Sequence, residues 1–346
     1  MRALAWFRER VPIDASALRS GLNEPIPLHL RRWWWALGGT PAYLFLVQVV
    51  TGILLTFYYV PNPDHAYASV RAITEEVAFG WWIRGLHRWS SNLMIAAVIL
   101  HVMRVFFTGA YRRPRELTWV TGAFLLFVVL FFGFTGYSLV YEQLSYWGAT
   151  VAGNLTAAVP LVGPALGSLL RGGETISDNT LTRFFVLHIG ILPTLFFLLI
   201  VVHLSFVRLH GVSDIVFRDE ADRRERTFPF FPDHLLMEIG IGVALTFVLT
   251  CLTLIVPPAL GEPADPLHAP AHIKPEWYFY FTFRWLKWTG LTFAVLTLGL
   301  GAFLFVAWPW VDRALARLSR GRDLSVPLGV LVFVGLIVLT LVEAAA

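Results

Sequence analysis

Four histidines in two apolar runs set the chemical question. His87 and His101 lie 14 residues apart in the run 81–107, and His188 and His203 lie 15 apart in the run 182–208. In a helix rising about 1.5 Å per residue, fourteen residues cover roughly 21 Å and return to within about 40° of the starting face. Fifteen residues end about 60° off the same line. Imidazoles are rare in lipid, and where they occur they mark a pathway, a ligand or a counter-ion. Two helices with two facing histidines each make two bis-histidine sites, one near each membrane surface. Neutral imidazoles above and below a haem iron leave no open coordination position, so such a haem carries electrons and does not bind oxygen. Zinc or non-haem iron wants its ligands clustered at one level, whereas here each helix offers one ligand per level.

The pairing follows from counting spans. One span separates the two runs, so both enter from the same side. His87 then pairs with His188 near one surface (p), and His101 with His203 near the other (n). Haem propionates call for cations: Arg84 and Arg88 flank His87, and Arg104 follows His101 by one turn. Two glycine pairs share the interval of 14, Gly38 with Gly52 and Gly122 with Gly136. Ordinary small-residue helix packing is the plainer reading of such pairs. The shared interval favours glycines that let the flat face of a macrocycle approach the backbone.

These residues need a membrane housing, and the composition supplies one. Of 346 residues, 57% are hydrophobic and 14% charged, against about 25% charged in a soluble domain. Seven runs are long enough to cross a bilayer, at about 33–59, 81–107, 117–140, 182–208, 234–257, 291–311 and 325–343. The expectation is an all-α membrane protein of seven transmembrane helices, the first four forming a di-haem four-helix bundle. Most of the 27 basic residues fall in the N-terminus and alternate loops, which puts the N-terminus on the cytoplasmic, n side. The net charge of +4 follows from that asymmetry and implies no nucleic acid. The single cysteine, Cys251, cannot form a disulfide, an iron–sulfur ligand set or a c-type haem pair. The N-terminus lacks a signal-peptide h-region, and residues 2–11 read as an amphipathic surface helix. The arginine-rich composition hints at a GC-rich bacterial genome and so at a bacterial cytoplasmic membrane.

Four segments result: an n-side N-terminus (1–32), a di-haem domain (33–210), a charged n-side linker (211–233) and a three-span back (234–346). Between the third and fourth spans, Tyr141 to Leu181 read as two short surface helices broken by Pro160 to Pro164. The p-side loop Pro257 to Gly290 carries Pro275-Glu276-Trp277-Tyr278. There Glu276 sits beside aromatics at the membrane edge. An apolar niche raises a carboxyl pKa toward neutrality, which suits proton exchange.

With the four histidines, the glycine pairs, Gly133-Phe134-Thr135-Gly136-Tyr137-Ser138-Leu139 and Pro275-Glu276-Trp277-Tyr278 in view, the chain resembles cytochrome b. That family is the haem-bearing core of quinol–cytochrome c (or plastocyanin) oxidoreductases. The resemblance runs from Trp6 to the last span and mixes two branches. Phe79-Gly80-Trp81, the stretch Pro114-Arg115-Glu116-Leu117-Thr118-Trp119-Val120-Thr121-Gly122, Gly261 to Pro266, the interval of 15 and the three back spans look like the photosynthetic branch. There, front and back are separate chains; here they are continuous. Trp147-Gly148-Ala149-Thr150-Val151 and His272-Ile273-Lys274-Pro275 look like the respiratory branch.

The resemblance implies two non-covalent b haems and a Q cycle. Quinol would be oxidised near Glu276, Tyr278, Tyr137, Gly148 and Pro275, with Glu276 taking a quinol proton. On the n side, Arg208, His210 and Asp233 are the candidates for quinone reduction, and Arg115 joins the cofactor-binding candidates. A Rieske iron–sulfur protein, a c-type cytochrome subunit, quinone, membrane lipid and a second copy of the chain are the implied partners. The photosynthetic branch holds an extra haem through a cysteine before Leu-Gly-Gly. Here Ala36 stands at that place, so no covalent haem c is expected. A di-haem membrane anchor that relays electrons from a dehydrogenase to quinone is the main competing reading. The proline-glutamate loop and the three additional spans argue against it. A transporter would instead show broken helices with polar midplane residues.

Overall fold

The computed structural model describes residues 6, 9–10, 25–31, 37–213, 227–271 and 273–346. The surface helix expected over residues 2–11 falls largely outside the described residues. So do Trp33 to Ala36, most of the linker and His272.

Twelve helices are used below. They are α1 (Gly39–Thr56), α2 (Ala66–Glu75), α3 (Gly80–Phe107), α4 (Glu116–Ser138), α5 (Gln143–Ala157), α6 (Gly163–Arg171), α7 (Asp178–His210), α8 (Leu235–Ile255), α9 (Tyr280–Thr289), α10 (Leu291–Val306), α11 (Trp308–Leu318) and α12 (Ser325–Ala345). Among the described residues six helical stretches are long and apolar enough to cross a membrane, and α10 with α11 makes a seventh only if that bent pair is one span. A short antiparallel pair joins β1 (Pro25–Pro27) to β2 (Thr227–Pro229).

The sixth run departs from expectation. Its hydropathy predicts one span to residue 311, but the helix stops at Val306 and the chain turns 81° into α11. Pro309 lies in the first turn of α11, where its missing N–H costs nothing. From there Trp308, Val311 and Leu315 alternate with Arg313 and Arg317, the pattern of a helix lying at an interface.

Local chemistry fixes the other boundaries. Ser177 and Thr180 form a capping box at the start of α7. Gly172 ends α6 at φ 76°, a left-handed position that favours glycine. Glu116 opens α4 with its carboxylate in a buried two-pronged pair, Arg10 Nη2 at 2.8 Å and Nε at 3.1 Å.

The chain divides into two compact units: 1–50 with 85–127 and 196–257, and 51–84 with 128–195 and 258–346. Both draw on α1, α3, α4 and α7. In the first unit, α1 packs on α3 through Gln48, whose Nε2 donates to the His87 carbonyl and to Ser90 Oγ, each at 2.6 Å. In the same unit α1 meets α8 where Tyr43 bonds Thr246, and α3 meets α8 where Gly85 lies against Thr253. In the second unit, Phe134, Tyr137, Ala149 and Phe184 form a buried cluster.

Candidate functional site

The first unit brings His101 and His203 into electrostatic reach of each other. Each ring backs onto a glycine, Gly38 in the turn just before α1 and Gly122 in α4. A Cβ built on Gly38 would stand 3.5 Å from His101 Cε1, and one on Gly122 would stand 3.2 Å from His203 Cε1. On the His203 ring, Nδ1 lies 3.0 Å from Thr121 Oγ1, and the Thr118 carbonyl also bonds the ring. Holding Nδ1 in this way leaves Nε2 to ligate a metal and fixes the ring plane.

The second unit repeats the arrangement around His188. Its Nδ1 lies 3.0 Å from Thr135 Oγ1, the Phe132 carbonyl bonds the ring, and a Cβ on Gly136 would stand 2.8 Å from Cε1. Phe132 meets the imidazole edge-on at 5.5 Å. What these three glycines clear directly is an imidazole, a nearer neighbour than the macrocycle they were read for. Gly52 lies 14 residues beyond Gly38 in α1. His87 lies in α3, where Gln48 holds its carbonyl.

A π turn, Leu187–Ile191, contains His188, and the Leu192 N–H bonds back to the Leu187 carbonyl. Pro193 follows and has no N–H to give to the residue four before it, a known cause of such irregularity. A π turn inserts one residue into a helix. By helical arithmetic it converts the interval of 15 into the equivalent of 14, the spacing of His87 and His101.

The residues fit a haem between His101 and His203. His101 Nδ1 and Arg104 Nε are buried and lack hydrogen-bond partners among the described residues, and Arg104 lies in electrostatic reach of His101. A guanidinium nitrogen buried without an acceptor is met by a carboxylate, which a haem propionate would supply.

Two other arginines take partners that their neighbours in sequence did not suggest. Arg84 donates to the Pro258 carbonyl at 2.9 Å, the Ala259 carbonyl at 3.3 Å and Thr74 Oγ1 at 3.3 Å. The loop after α8 passes the start of α3, and its carbonyls reach the guanidinium. Arg115 donates to the His210 and Gly211 carbonyls at 3.2 and 3.3 Å, closing the end of α7, where carbonyls lack intrahelical partners. Arg88 is half-buried in α3 beside His87.

Within the second unit, Glu276 and Tyr278 are buried, 8% and 6% exposed, so the proline-glutamate loop turns inward. Tyr137 is in electrostatic reach of Glu276. Burial first, then the Glu276 and Glu343 carboxylates, raise the Tyr280 phenol above its ordinary pKa. Gly133 and Gly148 leave room for phenols: a Cβ on Gly133 would stand 2.8 Å from Tyr278 Oη, and one on Gly148 2.7 Å from Tyr137 Oη. Pro275 leads directly into Glu276, whose backbone is extended.

The residues expected to serve quinone reduction take local partners. Arg208 lies over the Phe230 ring at 6.0 Å, His210 stacks on Phe206, and Asp233 pairs with Arg31 at 3.9 Å, both exposed. Sequence reasoning missed Thr121, Thr135, Gly133, His234 and Glu238. The threonines had a signal: Thr-Gly recurs at Thr51-Gly52, Thr121-Gly122 and Thr135-Gly136.

Comparisons with known proteins bear on this geometry. Residues 22–211 match the family model "Cytochrome b/b6/petB", and residues 263–346 match "Cytochrome b(C-terminal)/b6/petD". A "Cytochrome bc complex cytochrome b subunit" of Chlorobaculum thiosulfatiphilum is 36% identical over 341 residues, covering 97% of this chain and 79% of that protein. A "Cytochrome b6" of Heliomicrobium gestii is 44% identical over 211 residues, covering 61% of this chain and 99% of that one. Among solved structures, a chain of a "Hyperthermophilic respiratory Complex III" superposes with a TM-score of 0.81 at 27% identity, covering 99% of this chain and 91% of its own.

Proposed function

The chain belongs to the cytochrome b/b6 family, and from that membership we propose that it runs a Q cycle: quinol oxidised on the p side, electrons carried across the membrane by two b haems, quinone reduced on the n side. Membership itself makes it a multi-pass, haem b-binding membrane protein, the cytochrome b subunit of a bc/b6f-type quinol oxidoreductase complex. The observation that carries the two-haem reading is the repeated site: an imidazole backed by a glycine and fixed at Nδ1 by a threonine, at both His203 and His188.

When bound, a bis-imidazole haem supplies reversible one-electron transfer. The chain's residues do the rest. His101 and His203 would hold one haem, His87 and His188 the other. Thr121 and Thr135 orient the imidazoles, and Arg104 would meet a propionate at the n-side level. Arg88 would do so near His87, with Gly38, Gly52, Gly122 and Gly136 giving the room. Glu276 takes a quinol proton on the p side, between Tyr137 and Tyr278, with Gly148 and Pro275 shaping the wall. A buried carboxyl in electrostatic reach of the Tyr137 and Tyr280 phenols suits that task better than a simple electron relay does, and this disfavours the membrane-anchor alternative.

The second electron acceptor lies on other chains. A Rieske iron–sulfur protein takes one electron of each quinol, since Cys251 alone cannot ligate a cluster, and a c-type cytochrome receives it in turn. The complex is a homodimer in a bacterial cytoplasmic membrane, with the N-terminus in the cytoplasm. Arg208, His210 and Asp233 serve the n-side quinone site, Arg115 secures the helix end beside it, and no covalent haem c is attached at Ala36.

The test is Glu276→Gln in the assembled complex. Quinol oxidation should fall by roughly 100-fold or more with both haem spectra intact. Unchanged turnover would remove the role given to Glu276.

A further inference from the structure

Inside the first unit, the first turns of α8 and the start of α1 meet at a carboxylate. A Cβ added to Gly39 would collide with the Glu238 carboxyl oxygens. The preceding residue, Gly38, is the one that backs His101. Glu238 therefore lies one residue along α1 from the n-side haem level. One turn back on α8, His234 Nε2 stands 3.6 Å from Glu238 Oε1, while His234 Nδ1 is buried with no hydrogen-bond partner among the described residues. Phe228 and Phe230 flank the imidazole, at ring-centroid distances of 5.8 and 5.7 Å. Beyond it, at the surface, lie Asp233 and Arg31, with Arg208 over Phe230; deeper on the Glu238 side comes Tyr43, bonded to Thr246. A carboxyl and an imidazole inside a membrane-length helix are costly unless they serve a pathway.

We propose that His234 and Glu238 form the proton-donating pair for quinone reduction on the n side. The assignment rests on the n-side reaction set out above and adds the residues that feed it. Reducing one quinone to quinol takes two electrons and two protons. The electrons come from p-side quinol oxidation. Each proton passes from the Glu238 carboxyl to a quinone oxygen. The carboxylate left behind takes a proton from His234, which recovers one from n-side water. The series Asp233, His234, Glu238 leads from the surface to the carboxyl that meets Gly39, the residue after the glycine that backs His101.

Glu238→Gln in the complete complex tests the pair. After quinol reduces the haems from the p side, reoxidation of the n-side haem should slow roughly 100-fold, with the rate of that first haem reduction and both haem spectra unchanged. A carboxylic-acid band should also vanish from the redox-difference infrared spectrum. Glu238→Asp should restore part of the rate. Gly39→Ala, which displaces the carboxyl without removing it, should slow the same phase. A Glu238→Gln variant with the parent's reoxidation rate and infrared spectrum would overturn the pair alone. Absence of that reoxidation phase from the parent would overturn n-side quinone reduction and the pair together.

Discussion

Thr121 Oγ1 stands 3.0 Å from Nδ1 of His203, and fourteen residues on, Thr135 stands at the same distance from Nδ1 of His188. Each threonine precedes the glycine that backs the same ring. One helix, α4, thus sets the orientation of a ligand at each of two levels, using the same dipeptide twice. Threonine is suited to this because its hydroxyl also bonds its own helix, to the Leu117 carbonyl at 3.0 Å and the Phe131 carbonyl at 2.9 Å respectively.

Replacing either threonine by valine keeps the shape and removes the hydroxyl. Partners that orient a metal-bound histidine are worth about 10–100-fold in affinity or activity. Thr121→Val should leave a low-spin spectrum, shift the midpoint potential of the n-side haem and weaken its retention, with the p-side haem unmoved. Thr135→Val should do the reverse. Redox titration of each variant reads this, and two unshifted potentials would deny the hydroxyls their role.

The glycines predict a graded series. A Cβ would meet an imidazole Cε1 at 2.8 Å at Gly136, 3.2 Å at Gly122 and 3.5 Å at Gly38. A ring held by a metal cannot retreat. Gly136→Ala should lose the His188 haem, Gly122→Ala should bind its haem more weakly, and Gly38→Ala should keep both. Pyridine-haemochrome counts on the three purified variants check the order.

The π turn makes a more unusual prediction. If Leu187–Ile191 absorbs one extra residue, deleting Gly190, which has open space around its Cα, should leave a plain α-helix with histidines 14 apart. The deletion variant should still bind two low-spin haems. Deleting a residue from the regular turn between Leu195 and Ile200 should abolish binding of one. Equal damage from both deletions would contradict the register argument.

How much of this was legible beforehand depends on what each residue must touch. His87, His101, His188 and His203 stood out because imidazoles inside apolar runs are rare and periodic. Thr121 and Thr135 did not, since a threonine in a helix ordinarily bonds its own carbonyl ladder, and these do that as well. Arg84 was assigned by its neighbour in sequence, His87, but the carbonyls of Pro258 and Ala259 come from a loop some 170 positions away. Glu238 is an acid in the first turn of its helix, and nothing in the sequence indicates that it meets Gly39. The sixth span was drawn to residue 311 because hydropathy continues through Trp308 and Trp310, and hydropathy does not register an 81° turn. Periodicity within one segment survives translation into structure; partnerships between distant segments have to be observed.

The most direct test of the two-haem account is a redox titration of the purified complex followed in the haem α-band region. The account predicts two low-spin b-type components of different midpoint potential, with His203→Leu removing one and His188→Leu the other. A single component in the parent, or a high-spin haem with an open coordination position, would contradict it.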